Sequence, residues 1–117
     1  KTMGLAKELR TRRKVSVREV VVPQWGDESG DFKLYCRPIT CNDLNRLQKK
    51  HPDFLNNTTI AAMVDLIVMK AEDEGGDKLF TAADDRIELM GEQTDVISDI
   101  ANQMFAEIET QEEASKN

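Results

Sequence analysis

The chain has 117 residues, 39% apolar and 32% charged, which suits a single domain with one modest core near the polar end of the globular range. Aromatic residues supply only 5%, so the core must be built from Val, Ile, Leu, Met and Ala. Two cysteines are too few for a disulfide framework, and no apolar run approaches the roughly 18–20 residues that cross a bilayer.

The net charge of −6 conceals an asymmetry. Residues 1–50 carry 12 Lys/Arg against 6 Asp/Glu, while residues 51–117 carry 4 against 16, so nets of +6 and −12 sum to −6. Opposed ends of this kind suit head-to-tail association, and a solvated charge distribution is the plainer reading.

In chain order, residues 1–14 are expected as a flexible basic arm ending in Arg10, Arg12, Arg13 and Lys14. Its charges are not followed by an apolar segment, so it does not read as a secretory signal. Val15, Val17 and Val20 to Val22 are β-branched and predict a strand that stops at Pro23. Gly26, Asp27, Ser29, Gly30 and Asp31 are turn residues, and Phe32, Leu34 and Cys36 then share one face of a second strand. The spacing gives a β-hairpin over 15–38, with a loop longer than a tight two-residue turn. Such a hairpin needs helices over its apolar face.

Thr40 and Asp43 form a capping pattern ahead of Leu44 and Leu47, and His51-Pro52 ends the helix it starts. Asn56, Asn57 and Thr58 offer the next cap, before a central buried helix carrying Ile60, Met63, Val64, Ile67 and Ala71. The acidic glycine turn EDEGGD closes that helix. Thr81 and Asp84 open a short helix that stops at Gly91. Thr94 caps the last helix, in which Ile97, Ile100, Ala101, Met104, Phe105 and Ile108 form an amphipathic stripe. Residues 40–109 are thus the helical body, and 110–117 a polar, fraying tail. The fold class is α+β, mainly α: an N-terminal hairpin and about four helices in a small bundle.

Catalytic chemistry has little support. The only histidine, His51, stands at a helix end before proline, where capping or exposure is expected. Cys36 and Cys41 have no second pair and no neighbouring histidine to complete a zinc set. A calcium loop beginning at Asp73 places Gly75 at its third position and Lys78 where a glycine is required. Paired carboxylates such as Asp84-Asp85 fit the first turn of a helix. Neither a phosphate-binding nor a dinucleotide-binding glycine motif occurs. No enzyme activity, cofactor or metal is expected. Trp25, between Pro23 and Gly26, packs on its own core or anchors a partner. Burial is the expectation, with the hairpin's edge strand as the adhesive part.

The succession VPQWGDE, LYCRPIT, CNDLNRL, IVMKAEDEGGDKLFTAADDRIELMGE and DVISDIANQMF resembles the tail assembly chaperones of long-tailed phages, most closely those of HK97-like siphophages. In that family Val-Pro-x-Trp-Gly opens a hairpin, Arg-Pro-Leu/Ile-Thr leads into the helices, and an acidic glycine turn precedes Leu-Phe and a short helix. The likeness covers about residues 15–108, and order and spacing carry it. It implies a non-enzymatic protein that binds the tape measure protein, keeps it soluble and recruits the major tail protein. It also implies a homo-oligomer, as a spiral or ring, in the host cytoplasm and absent from the mature virion. Trp25, Phe32, Leu34, Phe105 and Ile108 are the candidate contacts on that reading. The alternative is a small nucleic-acid-binding regulator that sets Arg10, Arg12, Arg13 and Lys14 on phosphates.

Overall fold

Alternating valines build the first sheet. In a computed structural model, which describes residues 4–13 and 16–116 and their side chains as far as residue 105, β1 (Arg18–Asp27) pairs antiparallel with β2 (Gly30–Cys36). Val20 faces Leu34 and Val22 faces Phe32 across the ladder. Val20, Val22, Leu34 and Cys36 are buried on one face, as the period of two requires. Val15 and Lys14 lie outside the described residues.

The turn is tighter than the sequence suggested. Asp27 pairs with Gly30, so only Glu28 and Ser29 lie between the strands. Asp27 Oδ1 accepts from the Ser29 N–H at 2.9 Å and from its hydroxyl at 2.6 Å, and Gly30 supplies a φ of 135°. The additional length is absorbed in a bulge. Pro23 to Gly26 on β1 stand opposite Asp31 alone on β2. Pro23 has no N–H to give a ladder, which makes the bulge the place for it. A Cβ on Gly26 would stand 2.6 Å from the Gly30 carbonyl oxygen, so the return of the bulge demands glycine.

Four helices follow the hairpin: α2 (Cys41–Lys50), α3 (Ile60–Lys70), α4 (Ala82–Met90) and α5 (Thr94–Lys116). The architecture is α+β, with this helical body on one side of a two-stranded sheet. Thr40 and Asp43 make the reciprocal capping box at 3.1 and 2.9 Å, and His51 is the C-cap of α2. Thr59, rather than Thr58 or the two asparagines, caps α3. Thr81 caps α4 and Gly91 ends it. Thr94 is the first residue of α5 rather than its cap, and the helix continues to Lys116 through the polar segment expected to fray.

The core lies between the hairpin and α3 and α5. α3 is apolar almost all round and buries Ala62, Val64, Leu66, Ile67 and Val68, which is the pattern of a central helix. α5 packs on α3 and β1 through Val96, Ile97, Ile100, Ala101 and Met104. Ahead of the hairpin, Leu5–Arg12 is helical (α1), where a flexible arm was expected. It buries no residue, and no helix among the described residues is long and apolar enough to cross a membrane.

Both outer edges of the hairpin are occupied at mid-strand, which corrects the expectation of an adhesive edge. On β1 the Gln103 side chain accepts from the Val21 N–H at 3.3 Å and donates to its carbonyl at 3.1 Å. On β2 Tyr35 exchanges two 2.8 Å backbone bonds with Glu72, which also holds Arg37 through a two-pronged ion pair. The acidic turn after α3 is therefore attached to the sheet and is more than a solvated connection.

Candidate functional site

The bulge that carries Trp25 aims it across the sheet towards α4. Its ring meets Phe32 edge-on at 5.9 Å and Phe80 edge-on at 6.1 Å, the geometry aromatic quadrupoles favour. With Leu89 these rings floor an open groove of about 320 Å³. That volume is at the small end for an enclosing ligand pocket, and the groove is open to solvent, so it suits side chains of a partner better than a small molecule.

Asp85, Glu88 and Glu92 form the rim. Residues 85, 88 and 89 share one face of α4, which supplies two carboxylates and Leu89, and Glu92 in the turn after it supplies the third. Two of the rim groups also hold structure in place. Asp85 accepts from the Thr81 N–H at 2.8 Å, and Glu92 accepts from the Trp25 indole at 2.7 Å. The Gln93 N–H, and after it the indole, hold the Glu92 carboxyl below the usual carboxylate range. The other face of α4 leaves Ile87 79% and Met90 44% exposed.

The expected contact residues divide. Trp25 and Phe32 are half-buried and meet in the groove, so Trp25 both packs on its own core and shows a face to solvent. Leu34 is fully buried opposite Val20 and offers no surface; its place is in the core, because the period of two that put it beside Phe32 also turned it inward. Phe105 packs on Phe54 with ring centres 5.5 Å apart and does not line the groove. The Ile108 side chain lies outside the described residues. In the basic block, Arg10 and Arg12 are exposed on α1 and Arg13 is its exposed C-cap, while Lys14 is not among the described residues.

Sequence reasoning missed Phe80 and the acidic rim, and it missed two carboxylates that pin the helices, the buried Asp43 and the partly buried Asp65. Asp43 accepts from Lys70 at 2.8 Å and Arg46 at 2.9 Å. Burial raises its pKa, but the bonds from Lys70 and the Thr40 N–H more than offset this and bring it to about 2. Asp65 accepts from Arg86 at 2.7 Å and lies 2.7 Å from His51 Nε2. Burial opposes its ionisation, and Arg86 and His51 still lower its pKa. The signal for Asp65 was available: a lone carboxylate within the apolar run IAAMVDLIVM needs a buried partner. These pairs join α2, α3 and α4, and each is satisfied by its helical neighbours. Among the described residues no group of three His, Cys, Asp or Glu side chains is placed to hold a metal ion.

No known protein family, curated protein or solved structure matches this chain.

Proposed function

We propose that the chain is a phage tail assembly chaperone, a non-enzymatic oligomer that binds and solubilises the tape measure protein and helps recruit the major tail protein. The order of motifs over residues 15–108 supports the reading from the sequence. The structural observation that carries it is the character of α4. One face closes an open aromatic groove with an acidic rim, and the other leaves Ile87 and Met90 in water. Apolar side chains kept at a surface in this way suit contact with another protein. A tagged copy co-expressed with the tape measure protein proposed as its client retains that protein on affinity purification. If the tape measure protein is never retained, the reading fails.

The nucleic-acid reading has one favourable observation, the exposure of Arg10, Arg12 and Arg13 on or beside α1. Salt-sensitive binding of duplex DNA supports it, and no binding at low salt removes it.

A further inference from the structure

The helix α1 and the groove have complementary surfaces, and neither is covered. Leu5 and Leu9, four residues apart and so on one face of the helix, are 66% and 52% exposed. Lys7, Arg10, Arg12 and Arg13 surround them, against the single acid Glu8. An isolated helix below about 12–15 residues is marginal in water, so an eight-residue helix without a buried side chain gains most from a surface to lie on. The groove offers an apolar aromatic floor for two leucines and three rim carboxylates for the arginines. Aromatic faces also receive guanidinium groups.

We propose that the groove floored by Trp25, Phe32 and Phe80 takes the α1 helix of a second copy of this chain, with Leu5 and Leu9 on the rings and the α1 arginines on Asp85, Glu88 and Glu92. The structure favours a second copy over the same one: α1 buries no side chain, so it does not lie on its own groove, which stays open. The two patches differ, so the contact is heterologous and repeats head to tail, into a ring if the rotation closes and a helix if it does not. The inference deepens the self-association in the proposed function and rests on that part alone.

Sedimentation velocity on the purified full chain, with no other protein present, tests it. The expected result is concentration-dependent assembly that weakens as salt rises, because its ion pairs are exposed. The Leu5→Ser/Leu9→Ser variant and the Glu88→Lys variant each raise the dissociation constant by about tenfold or more, and all three positions are exposed enough to leave the fold intact. Arg12→Glu/Arg13→Glu likewise weakens assembly, and mixing it with Glu88→Lys restores a complex through one matched interface. A chain that stays monomeric at high micromolar concentration overturns the proposal, as does assembly indifferent to these substitutions. Trp25 emission that responds to Leu5→Ser/Leu9→Ser in a persistent monomer places α1 on its own groove and also overturns it. Because no client is present, failure here is separable from failure to retain the tape measure protein.

Discussion

The indole of Trp25 donates a 2.7 Å hydrogen bond to Glu92 across 67 residues of sequence, fastening the bulge of the hairpin to the turn after α4. That bond, with the rings of Phe32 and Phe80, fixes which face of the tryptophan lies on its own domain and which lines the groove. Glu92→Ala removes the acceptor and leaves the ring freer and wetter. The emission maximum of this single tryptophan should move to the red, and Glu92→Gln, which keeps an acceptor oxygen, should move it less. Identical spectra for all three proteins contradict the tether.

Asp43 predicts an acid-dependent loss of stability. Its pKa is depressed in the folded chain to about 2, against about 3.9 unfolded, so its contribution is complete above the unfolded value and disappears as pH falls through the folded one. The shift corresponds to about 2–3 kcal/mol. Urea titrations between about pH 5 and pH 2 should show this loss, and Asp43→Asn should remove most of this particular slope while lowering stability at neutral pH. A slope unchanged in the variant assigns the acid sensitivity elsewhere.

Gly26→Ala tests the bulge. The added methyl meets the Gly30 carbonyl oxygen at 2.6 Å and the Asp31 Cα at 3.0 Å, both backbone atoms that yield only if the strands part. A loss of about 1–3 kcal/mol in the unfolding free energy from urea titration is expected, together with a shift in Trp25 emission. Gly75→Ala, whose Cβ meets only the Asp73 side chain at 3.4 Å, is the control and should cost much less.

Ile87 separates stability from function. At 79% exposure its change to serine should leave stability within about 0.5 kcal/mol. Retention of the tape measure protein should nevertheless fall. Normal retention by a well-folded Ile87→Ser chain removes this side chain from the client surface.

Legibility in the sequence followed the range of each interaction. The box at Thr40/Asp43, the cap at Thr81, the stop at His51 and the α5 stripe from Ile97 to Met104 are local, and they stood in the structure where periodicity and caps put them. Thr59 was passed over for α3 because Asn56, Asn57, Thr58 and Thr59 all carry capping side chains, and only packing chooses among them. α1 was missed because a short basic segment with leucines only at 5 and 9 gives too little periodicity to outweigh its charge. The groove was half legible. Trp25 and Phe32 announced themselves by composition, but Phe80 and the rim join them only after the chain has returned through α3. Leu34 shows the converse error, since alternation identified its face but not which way that face pointed.

Solubility of the tape measure protein, expressed with and without this chain, is the most direct measurement of the central claim. With the chain present, most of the tape measure protein should remain in the supernatant after centrifugation and co-elute with the chain in an assembly larger than either alone. A tape measure protein that pellets equally in both cases, or stays soluble without associating, contradicts a chaperone role.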